Sequence, residues 1–225
     1  MRKIDVRDFE SIKDMLGVKL INTNRNRELL KNMPSYPFLE FSAVYYLLFM
    51  TNKDSVLTLP VDNTTRNYWE IDDASLYKFA MENTQKMMPL YLETMKNEIA
   101  DMNKRNPDDS LDINDFAAFG ESSNLYMLTN ESHVYGSVAI MYPNLLHRFS
   151  EKMKCDLILV PLSINAVLIT SALSDIDLKA LKLILKYYNR HCSDKAGILS
   201  DHLYYYHRDE DGLEIMEENS NANDN

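Results

Sequence analysis

Four cations are spaced so that they share one face of a helix: Lys179, Lys182, Lys186 and Arg190 follow one another in steps of three, four and four. Such a row attracts phosphate or an acidic partner. It is also what the solvated side of an ordinary amphipathic helix looks like. A second group is His202 and His207, with Asp201 beside the first. On a strand, residues five apart face opposite sides, so the two imidazoles cannot share one metal ion without a bulge. The run Tyr204-Tyr205-Tyr206 offers rings on which bases stack, but it lacks interleaved cations and reads as a β-favouring strand. Trp69, the single tryptophan, is either a core-edge residue or the anchor of an interface.

Several kinds of chemistry lack their residues. The chain has only five glycines in 225 residues, against roughly 7% in an ordinary protein. None falls in a GxGxxG or GxxxxGK[ST] pattern, so the close backbone approach that cradles phosphates is missing. HExxH, CxxC and GxSxG are also absent. Asp108, Ser110 and Asp112 alternate as in a calcium loop, but Ile113 stands where the turn needs glycine and Phe119 where it needs glutamate. The composition therefore implies no cofactor and no metal. Cys155 and Cys192 lie far apart, which fits neither a disulfide framework nor a zinc site and points to a reducing compartment.

The formal charge of −10 is unevenly placed. Residues 101–123 carry six acids and two bases, and residues 208–225 carry seven acids and one base. The rest is neutral by count, so the acidity belongs to one loop or insertion (103–123) and one tail rather than to a uniformly acidic surface. The lysine row stands out against that neutral remainder, and an acidic loop or tail lying over it would make only weak, salt-sensitive contacts.

The elements that must position these groups follow from hydrophobic spacing. Val6, Phe9, Ile12 and Leu16 predict a helix, followed by a strand over Val18–Asn22 and a short helix within Asn24–Met33. Pro34 and Pro37 predict a turn. Phe38–Met50 is apolar on both alternating faces, as in a strand covered on both sides, and Ser55–Val61 returns from it. Asp72 or Asp73 caps the next helix, with Leu76, Phe79, Ala80 and Met87 as its inner stripe. Pro89 breaks it, and a second helical stretch carries Tyr91, Met95, Ile99 and Met102. Asn124–Thr129 and Gly136–Tyr142 read as strands, Pro143 as the first turn of a helix, and Asp156–Pro161 with Ala166–Thr170 as a hairpin. Ser174 and Asp177 open the helix of the cationic row, which buries Leu178, Leu181, Leu185 and Tyr188. His202–His207 and Leu213–Met216 pair through Asp211-Gly212, where both turn positions tolerate positive φ. Residues 1–217 thus form one α+β domain, an antiparallel or mixed sheet built from hairpins with helices packed on it, and 218–225 form a disordered tail. A chain of this length buries a sizeable core without disulfides.

A resemblance rests on Tyr126–Asn130, Gly136–Pro143, Asp156–Ser163 and Leu199–Tyr206, with Lys19–Asn22, Asn26–Leu30 and Pro37–Leu39 in support. Together these are similar to an uncharacterised domain-of-unknown-function family of gut clostridia and related Firmicutes, over nearly the whole chain up to residue 217. The resemblance implies a bacterial, cytoplasmic protein and no particular mechanism. Relative to that pattern the chain starts at the shared part, as a shortened member. Leu162, Ser163, Ile164, Asn165 and Ala166 stand where the pattern favours Ser-Ser-x-His-Glu, so an acid–base pair at that turn is replaced.

The function expected is that of a non-enzymatic binding or regulatory module, with a protein partner or a second copy meeting Lys179, Lys182, Lys186, Arg190 and Trp69. Nucleic acid and membrane are disfavoured: the chain is acidic overall, and its two greasiest stretches, Phe41–Met50 and Leu157–Leu173, are too short or too interrupted to span a bilayer. The alternatives are a weak anion binder through the same lysines, and an unfamiliar hydrolase using Asp201, His202, Asn130 and His133.

Overall fold

The computed structural model describes residues 4–52, 55–105, 125–173, 177–192 and 194–216. The calcium-like run, most of the acidic loop and the tail beyond Met216 lie outside these residues, as does Ser174. Two antiparallel sheets share one interior. In the first, the twelve-residue strand β3 (Phe41–Asn52) pairs along one side with β1 (Leu16–Asn22) and along the other with β2 (Ser35–Phe38) and then β4 (Ser55–Pro60). Pro34 and Pro37 therefore do not frame a turn. Pro37 lies within β2 at the sheet edge, where a missing N–H breaks no ladder.

The second sheet has the order β10-β9-β7-β8-β6-β5, comprising β5 (Leu90–Thr94), β6 (Leu125–Asn130), β7 (Leu157–Ser163), β8 (Ala166–Ser171), β9 (Tyr204–His207) and β10 (Gly212–Ile215). The expected helix at Tyr91 is a strand instead: five residues after Pro89 pair with β6, and helix α5 begins only at Met95 and runs to Arg105. The turn into β10 has Asp211 at φ 49°, as the Asp-Gly dipeptide predicts, whereas Gly212 already belongs to the strand.

Alternation along β7 explains how the layers stack. Leu157 and Leu159 enter a core with Val18, Leu20, Phe41, Tyr45 and Leu47 of the first sheet, while Ile158, Val160 and Leu162 face the other way onto Leu181 and Leu185. The strand is buried at every position, which is why it reads as a continuous apolar run. Tyr45, Leu159 and Leu181 are all buried, and β9 pairs with β7, so the described residues 194–216 pack with this core.

Helices close the open faces. The short helices α1 (Phe9–Ile12), α2 (Arg27–Leu30) and α3 (Asn63–Arg66) flank the first sheet, and α4 (Asp73–Met87) packs on β1. Asp72 caps α4 by accepting from Ser75 N at 2.9 Å. Leu76, Ala80, Met81 and Thr84 form its inner face, whereas Phe79 is largely exposed and touches Phe9 edge-on. Residues Gly136–Met141 form a 3₁₀ helix, not a strand. His133 and Tyr135, both at positive φ, turn the chain inward, and Gly136 then passes so close to β6 that a Cβ there would lie 2.2 Å from Thr129 Oγ1. Helix α6 (Leu145–Met153) starts after Asn144, itself at φ 58°, so Pro143 precedes the helix and does not open it.

Helix α7 (Leu178–His191) lies on the outer face of the second sheet. Asp177 alone supplies its observed cap, accepting from Lys179 N at 2.9 Å. Its buried stripe is narrower than the spacing predicts. Leu181 and Leu185 are inside, Leu178 and Tyr188 are largely exposed, and Asn189 takes the third inner place.

Candidate functional site

Seating Leu181 and Leu185 on β7 fixes how far α7 is rotated, and that places its cations. Lys179, Lys182, Lys186 and Arg190 line an open surface cleft of about 910 Å³. The opposite wall is the segment between α7 and β9, together with Met216 just after β10. Arg25 and Lys195 join the same lining, so among the described residues six cations face one carboxylate, Asp201. Asn189 and His202 complete the polar lining, and the rest is apolar: Leu183, Leu185, Ile198, Leu203 and Met216. Leu183 is 66% exposed, a large apolar group left in water beside the cationic row.

The cleft is held by a seam of polar contacts linking α7 to both sheets. Asn189 Nδ2 donates to Ser200 O at 2.8 Å and to Asp201 Oδ1 at 2.9 Å. Asp201 also pairs with Arg25. The Arg25 backbone N–H donates to Asn22 Oδ1, and Asn22 Nδ2 donates to Leu199 O. Lys195 Nζ reaches Asn189 O at 3.0 Å. Glu40, between β2 and β3, accepts from the hydroxyls of Ser200 and Tyr204, and His202 Nδ1 lies 3.2 Å from the same carboxylate oxygen. Burial pushes the Glu40 carboxyl upward, but the Ser200, Tyr204 and His202 contacts outweigh it and hold the group below its ordinary range. Burial and the same carboxylate push the Tyr204 hydroxyl well up, so it stays a donor. Asn189 is 9% exposed, and its Oδ1 is sealed from solvent and has no hydrogen-bond partner among the described residues.

The model of a family of unknown function, DUF5688, matches residues 2–208. The chain belongs to that family. No curated protein and no solved structure matches it. The DUF5688 match covers α7, the wall segment and Glu40, and of the cleft lining only Met216 falls beyond it.

Of the residues singled out from sequence, the four cations of α7 come together as expected. Trp69 does not join them and is no surface anchor. It is 3% exposed, packs against Phe9 at 5.6 Å and donates its indole N–H to Val6 O at 2.9 Å. The four groups of the hydrolase alternative have separate partners. Asn130 is buried, binding Val134 O and accepting from Ser132 N, and His133 stands beside the Tyr91 ring. Asp201 and His202 belong to the seam. His207 pairs with Glu214 at 2.8 Å, apart from His202, and no group of metal-ligating side chains occurs among the described residues. Sequence reasoning missed Arg25, Glu40, Asn189, Lys195 and Ser200. Glu40 lies 160 positions from Ser200, and no local spacing announces such a contact.

Proposed function

We propose that this chain is a non-enzymatic binding module whose α7 cleft takes an acidic, partly apolar segment of a partner protein. The supporting observation is convergence: six cations from three separate stretches of chain meet over an aliphatic floor. Magnitudes decide the kind of partner. Exposed ion pairs contribute roughly 0.2–1 kcal/mol each, so six of them give at most about 6 kcal/mol, short of the roughly 8 kcal/mol of a micromolar complex. One buried leucine adds about 1.5–3 kcal/mol. A ligand that uses both walls therefore needs acids and apolar groups together. A concave cleft suits a chain better than the broad plane of a membrane. Among the described residues its lining holds no phenylalanine, tyrosine or tryptophan on which bases would stack.

The setting in this reading is the bacterial cytoplasm, in the gut clostridia and related Firmicutes that the sequence resembles. Two unpaired cysteines support a reducing compartment, and no described helix is long and apolar enough to cross a membrane.

The fourteen residues of α7 span about 21 Å, so an extended peptide of about ten residues outreaches it. Fluorescence anisotropy with such a peptide, alternating glutamate and leucine, tests the proposal. Binding at low ionic strength is expected, weakening about tenfold or more toward ~0.5 M salt and in the variant Lys179→Gln/Lys186→Gln/Arg190→Gln. No binding at low salt, or full binding by that variant, contradicts the reading. Tighter binding of a single-stranded oligonucleotide or of anionic lipid vesicles replaces the partner class.

A further inference from the structure

We infer that the ligand enters the α7 cleft as a peptide main chain, donating a backbone N–H group to His202 while its carboxylates lie along the α7 cations. This rests on the acidic-segment reading above and specifies how such a segment is held. The donors and acceptors of the lining decide how a segment is held. Along α7 the lining is lysine and arginine, which only donate. The wall at Asn189, Asp201 and His202 is different. Glu40 is ionised across ordinary pH and can only accept, so the His202 nitrogen facing it, Nδ1, carries the proton. In the neutral imidazole the other ring nitrogen then bears a lone pair. His202 lines the cleft with its side chain 47% exposed, so that acceptor is within reach of a ligand.

Asn189 belongs to the wall itself: its amide nitrogen donates to Ser200 O and Asp201 Oδ1, and its oxygen is sealed from solvent. An inorganic polyanion brings acceptors alone and leaves the His202 acceptor unmet. An acidic peptide brings an N–H at every residue, a few ångströms from its carboxylates.

The test replaces, one at a time, each backbone amide of the glutamate–leucine probe by an ester, which removes the N–H and keeps the side chain. With the full-length chain, one or two positions should lose about tenfold in affinity and the rest little. In His202→Phe, whose site is half exposed and whose fold circular dichroism checks, at least one of those sensitive positions should become indifferent. His202→Gln, which keeps an acceptor, should restore its sensitivity. Ester analogues that all bind like the parent, or an identical loss profile in wild type and His202→Phe, overturn the inference while leaving the charged cleft in place. A parent probe that fails to bind at low salt removes the acidic-segment reading and this inference with it.

Discussion

Glu40 is pulled in opposite directions by burial and by its donors, and the donors prevail. Its folded carboxyl is therefore more acidic than the ordinary value of 4.5. The linked stability is fully present above that value and is lost as pH falls through the lower folded value. Denaturant midpoints measured from neutral pH down to about pH 3 should fall for the wild type and fall less steeply for Glu40→Gln, because that part of the proton linkage is gone. Equal slopes would show that Glu40 is not the group being titrated. Gly136 supplies a second single-residue prediction. Adding a methyl group sets it 2.2 Å from Thr129 Oγ1 and 2.6 Å from Asn165 O, where backbone has to move. Gly136→Ala should lose about 1–3 kcal/mol or more in urea unfolding, and an unchanged midpoint would contradict the close approach. The cations of α7 were legible in sequence because they recur on one helix within twelve residues. Glu40, Ser200 and His202 were not, because their meeting depends on how two sheets pack.

At the scale of elements, α7 is placed by its cap and by two leucines. Asp177→Ala should cost about 1 kcal/mol through loss of the cap. Leu181→Ala, at a fully buried site, should cost roughly 2–5 kcal/mol. Both are read from urea midpoints, and a Leu181→Ala loss below that of the cap variant would mean that α7 is not seated on β7. Hydrophobic spacing marked this helix well because its cationic and apolar faces are distinct. It misread Gly136–Met141, whose five leading residues are all buried and give no alternation to follow. It also misread Leu90–Thr94, where pairing with β6 sets the conformation of a stretch too short to declare a period. Prolines misled at two places: Pro37 marks a sheet edge, not a turn, and Pro143 precedes α6 and does not open it.

For the whole molecule, two antiparallel sheets share one core, and α7 covers the far side of the second. The hairpin-rich α+β architecture was legible because both faces of β3 and β7 announce themselves in the sequence. The order of the strands and the cleft were not, since both arise from contacts between distant segments. The proposed docking of an acidic segment depends on that cleft. Amide hydrogen exchange of the full chain, with and without a saturating glutamate–leucine peptide at low salt, examines this claim most directly. Slowed exchange is expected over residues 178–191 and 195–203, with β4 on the first sheet unchanged. Protection confined to β4 or to the α4 face, with residues 178–203 exchanging as in the free protein, would contradict it.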